Sequence, residues 1–118
     1  MLVKHIKEVT EFLAGDHTIL KEVLHPSNDP IDINYSIAHA RLEVGTASLP
    51  HRLKGSETYY ILEGEGEIII EGTTQHIKKG SIAFVPPSAK QFVRNIGQVD
   101  LVFLCIVEPY WRPEDEEV

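Results

Sequence analysis

The chain has 118 residues, a single cysteine and a formal net charge of −7 at pH 7. That length gives one domain with enough interior to fold without metal or disulfide staples, so a bound metal would serve function rather than folding. An acidic surface gains nothing from nucleic acid or anionic lipid, which leaves small molecules as the expected partners.

No apolar run is long enough to span a membrane, and Met1–His5 lacks the apolar core of a secretion signal; the expected compartment is the cytoplasm. Glu8–Ala14 allows a short helix stopped at Gly15, and Thr18–Leu24 allows helix or strand, with strand preferred. His25–Pro30, with two prolines and turn formers, reads as a plain loop with nothing apolar to bury.

From about Asn34 onward the chain is all-β in pattern. The expected strands are Asn34–Val44, Thr58–Leu62, Glu67–Glu71, Thr74–Ile77, Ile82–Val85, Gln91–Asn95 and Leu101–Val107, joined at Gly45, Gly64–Gly66, Gly72, Gly80, Pro86–Pro87 and Gly97. Short strands with such regular turns predict a closed barrel or two facing sheets. In the first of them Ala38, Ala40, Leu42 and Val44 share the face expected to be core, while His39 and Arg41 fall on an exposed face or a subunit contact. Cys105, inside an apolar run, reads as a small buried hydrophobe. Tyr110 and Trp111 are expected to cap the barrel mouth or pack on a partner subunit, and Glu114–Glu117 to form a solvated, frayed tail. The expected organisation is thus one domain over 1–118, with a barrel core at about 18–108 and an acidic tail at 109–118.

The chemistry concentrates between Gly45 and Gly64. His51 and Glu57 stand either side of the Gly55 turn, where an imidazole and a carboxylate on converging segments can share a divalent cation. Tyr59, two residues past Glu57, falls on the same strand face, to meet a ligand or close a core hydrogen bond. Without a metal, His51 and Glu57 can instead hydrogen-bond each other or a ligand, as a general base and acid whose pKa values a barrel interior would shift.

These residues resemble the cupin superfamily, in particular its small single-domain members. Gly45, His51, Glu57 and Gly64 fall in register with the first cupin motif, and Gly80, Pro86 and Asn95 with the second. Leu53 stands where that pattern has a second histidine, Ser88 where it has a glycine and Gln91 where it has a third histidine. The resemblance implies a double-stranded β-helix, the jelly-roll barrel, usually a homodimer. It also implies a divalent metal, with Zn, Mn, Fe and Ni all compatible, held by His51 and Glu57 with Gln91 as a weaker oxygen ligand. Two functional readings follow: metal-assisted isomerase, lyase or hydrolase chemistry on an organic acid or sugar derivative, with His51, Glu57 and Tyr59 as candidate catalytic groups, or a metal-free module that binds or senses a small metabolite.

Overall fold

The computed structural model describes all of residues 1–118. Eleven strands follow one another: β1 (Phe12–Leu13), β2 (Ile19–Leu24), β3 (Ser36–Leu42), β4 (Arg52–Leu53), β5 (Ser56–Glu63), β6 (Glu65–Ile70), β7 (Thr73–Lys78), β8 (Ile82–Val85), β9 (Gln91–Asn95), β10 (Leu101–Glu108) and β11 (Glu116–Glu117). They form a six-stranded sheet in the order β1-β2-β3-β10-β5-β8, a three-stranded sheet β7-β6-β9 and the short pair β4-β11. Every pairing within these sheets is antiparallel.

One core joins the two larger sheets. β10 lies between β3 and β5, and its strict alternation sends Leu101, Phe103, Cys105 and Val107 inward. Ala40 and Leu42 of β3, Tyr59 and Ile61 of β5, Ile68 of β6, Ile77 of β7, Val85 of β8, Val93 of β9 and Ala89 before it complete the buried cluster. Of the expected inward face, Ala40 and Leu42 are buried and Ala38 packs against the core, whereas Val44 lies past the end of β3 and is exposed; Cys105 is buried and free.

Turn chemistry sets the corners. Gly64 carries β5 into β6 at φ +89°, and a Cβ there would lie 2.6 Å from the Asp100 carbonyl oxygen. Gly66 belongs to β6 rather than to the turn; its Cβ would lie 2.5 Å from the Arg94 carbonyl oxygen on β9. Gly64→Ala is therefore expected to cost more than the 1–2 kcal/mol of a left-handed residue alone, roughly, because the clash adds to the backbone strain. A urea titration measures it, and an unchanged midpoint would contradict the close approach.

The N-terminal expectations need correction. Only Ile6–Glu8 makes a helical turn, a single 3-10 one, while Phe12 and Leu13 form β1, opposite Leu20 and Ile19. Pairing to β2 satisfies their backbone groups, which so short a helix would leave open at its ends. Thr18–Leu24 is strand from Ile19, as preferred. The His25 loop is not plain: His25 is buried, and its Nε2 lies 2.7 Å from the Trp111 carbonyl oxygen while its ring meets Tyr110 edge-on.

The acidic tail is corrected as well. Glu116 and Glu117 pair with Leu53 and Arg52, and the Lys54 amide donates to the Asp115 carbonyl oxygen. Trp111 holds the approach, its amide donating to Ser36 Oγ and its indole to Glu116 Oε2. The tail is thus a strap laid back over the barrel, tied by backbone bonds that charge counting does not reveal.

Candidate functional site

Inside the barrel is a cavity of about 200 Å³, walled in part by Trp111 and Glu116 of the strap and by residues between Phe12 and Glu22. His51 enters it from the loop before β4, held by reciprocal backbone hydrogen bonds of 2.9 Å with Gln91 on β9. Glu57 and Tyr59 project from β5, which register fixes between β10 and β8. Asp16 and Glu116 arrive from the two ends of the chain.

His51 is the centre of the polar wall. Its Nδ1 lies 2.8 Å from the Leu49 carbonyl oxygen, an acceptor only, so Nδ1 carries the hydrogen and Nε2 is turned toward Glu57 Oε1 at 3.9 Å. Asp16 Oδ2 stands 3.8 Å from Nδ1, and Asp16, His51 and Glu116 present ligand atoms within 4.8 Å of one another. Asp16 is itself oriented by Thr18, whose amide and hydroxyl donate to Oδ1 at 3.1 and 2.7 Å.

Of the residues expected at the site, His51, Glu57 and Tyr59 line the cavity together, with Leu53 beside them. Gln91 is buried next to them, but its Oε1 accepts the Tyr59 hydroxyl at 2.5 Å, and that hydroxyl also stands 3.3 Å from Glu57 Oε1. Asp16 and Glu116 are additions that the sequence reading did not place at the site, while Trp111, expected to cap the barrel mouth or pack on a partner subunit, lines the cavity. Nothing in the local sequence of the two acids marks them; only the tethering of both chain ends over the barrel brings them in. Asn95 braces a turn, donating to Leu42 and Val99 and accepting from Gly97. His39 and Arg41 lie outside the cavity, with Arg41 paired to Glu11 and Asp100. His76 is exposed and paired to Glu65.

Burial disfavours charge on His51, but the nearby Glu57 carboxylate, the Leu49 carbonyl and Asp16 outweigh it and lift the imidazole to about 9. Burial pushes Tyr59 and Cys105 well up, with the Glu57 charge adding to it, so both stay neutral. Glu116 is raised by burial and by Asp16, against the opposing pull of His51 and Trp111.

A pH prediction follows for the metal-free chain. The folded value of His51 lies above its ordinary 6.5, so the proton stabilises the fold fully below that value and the contribution is lost as pH rises toward 9. Imidazole resonances followed by NMR should show one histidine titrating near 9. A normal midpoint for His51 would contradict the acidic enclosure.

The protein is an all-β jelly roll with a small internal pocket walled by an imidazole and several carboxylates. The sequence model of the cupin domain matches residues 38–107, and the chain belongs to the cupin family. It is 34% identical over 112 residues to an uncharacterized protein of Methanocaldococcus jannaschii, covering 94% of this chain and 89% of that one. It is 31% identical over 94 residues to the oxalate-binding protein of Thermotoga maritima, covering 77% and 71% of the two chains. Among solved structures, the polyketide cyclase RemF of Streptomyces resistomycificus superposes with a TM-score of 0.81 at 16% identity, over 96% of this chain and 82% of that one, a likeness of fold. Asp16, Trp111 and Glu116 all lie outside the stretch that the family model matches.

Proposed function

We propose that this chain is a metal-binding cupin, holding one divalent cation at the cluster of His51, Asp16 and Glu116, with Glu57 on the other side of the imidazole, and presenting to it a small polar metabolite. The observation that carries this reading is the buried imidazole whose Nδ1–H is anchored on the Leu49 carbonyl, the support that a metal-ligating histidine usually has. The donor set fits: nitrogen and oxygen ligands suit Zn, Mn, Fe or Ni, and the one thiol nearby, Cys105, is kept neutral.

A bound cation would supply Lewis-acid polarisation of a ligand oxygen. The protein's own groups do the rest. Asp16 and Glu57 flank the imidazole, Trp111 orients Glu116 through its indole hydrogen, and Tyr59 joins Gln91 to Glu57, so that Gln91 reaches an ion only by giving up the Tyr59 bond.

The metal-free alternative, a binding or sensing module, is favoured by that same Tyr59–Gln91 bond and by the apolar lining, twelve of the 21 wall residues. The two readings part on a divalent-metal titration of the wild type and of Glu116→Gln. The variant keeps its shape and is expected to lose at least about 10- to 100-fold in metal affinity, already the cost of losing an outer-sphere partner, because Glu116 is a direct ligand in this reading. Unchanged affinity would remove Glu116 from the ligand set, and no uptake by the wild type would leave the metal-free module.

The homodimer implied by family resemblance is proposed on the outer face of β8 and β5. Ile82 and Phe84 are exposed there beside Tyr60.

A further inference from the structure

Neither lysine nor arginine lines the cavity, and this decides which molecules it can hold. Its wall carries four carboxylates, Asp16, Glu22, Glu57 and Glu116, against the single imidazole of His51. Even a divalent ion at His51 leaves no positive charge to spare once the three carboxylates beside it are ionised, and like charges in a partly buried site repel strongly.

Most of the neutral donors are committed as well, Ser36 being the exception, since its Oγ accepts the Trp111 amide and keeps its own hydrogen for a ligand. Thr18 Oγ1 donates to Asp16, the Tyr59 hydroxyl to Gln91 and the Trp111 indole to Glu116, each a bond to an acceptor of the protein itself. A carboxylate ligand would therefore meet repulsion from four acidic groups with at most the Ser36 hydroxyl to offset it. The remainder of the wall is largely apolar, with Leu20, Ala38, Phe103 and Val107 offering a surface for a hydrocarbon body. A cavity of about 200 Å³ suits a compact small molecule rather than an extended one.

Resting on the reading above that this pocket is the ligand site, we infer that it takes an uncharged amphiphilic molecule, with hydroxyl or carbonyl oxygens at the His51 end and a compact apolar body, and that it excludes carboxylates. The oxalate named for the Thermotoga relative belongs to the excluded class.

The test uses a matched pair, styrene glycol and mandelate, which share a phenyl body and a secondary hydroxyl and differ in a terminal alcohol against a carboxylate. Oxalate is the third probe. Calorimetry on the full chain, metal-free and loaded with zinc, is expected to show styrene glycol binding saturably and both anions at least about tenfold more weakly, a factor equivalent to one power of ten in Kd. Mandelate or oxalate binding as tightly as the glycol would overturn the inference, as would no binding of the glycol in either form. Failure of the metal reading shows separately, as absence of zinc uptake in the same titration, and the preference for the glycol is then read on the metal-free chain.

Discussion

His51→Ala is expected to abolish tight binding of divalent metal, lowering affinity by about 100-fold or more, while the barrel stays folded. Loss of an outer-sphere partner already costs about 10- to 100-fold in comparable sites, and removal of a direct nitrogen ligand exceeds that. The fold should survive because His51 lies in a loop outside the hydrophobic core cluster and its backbone bonds to Gln91 do not depend on the side chain. The substitution also removes the one positive group among Asp16, Glu57 and Glu116, so the metal-free variant carries an uncompensated acidic pocket. Calorimetric titration with zinc or manganese measures the change. Wild-type affinity in the variant would show that the carboxylates alone hold the ion, or that it binds elsewhere.

The second large effect is on stability. Phe103→Ala should lower the unfolding free energy by about 3–5 kcal/mol, the usual cost of emptying a buried aromatic site. Phe103 is 1% exposed, lies on β10 opposite Ala40 and Ile61, and packs its ring 5.4 Å from that of Tyr59. Since a domain of this kind is stable by about 5–15 kcal/mol in total, the loss is a large part of the whole. It also reaches the site, because Tyr59 then lacks the ring that fixes its approach to Gln91 and Glu57. Urea denaturation gives the number. A loss below about 1 kcal/mol would contradict the close packing of Phe103 in the core.

The core of the barrel was readable because its strands obey local rules. β8 and β9 run over the residues expected of them, and β10 differs only by the addition of Glu108, since alternation and turn formers fix these segments without help from distant contacts. The convergence of His51, Glu57 and Tyr59 on one cavity has the same origin, a strand face and a tight bend.

What was missed depends on partners far away in sequence. Phe12–Leu13 looks helical by composition and becomes strand only because β2 offers an edge. Glu116 looks like one more solvated acid, yet two backbone pairs to β4 and the Trp111 indole carry it to the cavity wall. Asp16 is similar: it falls in no motif, and the amide of Leu49 donating to its carbonyl oxygen fixes it beside His51. His25 reads as loop because nothing nearby marks the Trp111 carbonyl it meets across the fold.

The central claim is that this acidic, histidine-anchored cavity is a metal site. Its most direct test is elemental analysis by plasma mass spectrometry of the purified, untagged chain, dialysed without strong chelators and then offered zinc, manganese, iron and nickel in turn. Because a site of this kind couples its ligands to one ion, the account predicts about one divalent metal per chain, retained through gel filtration. A chain that stays empty after all four would contradict it.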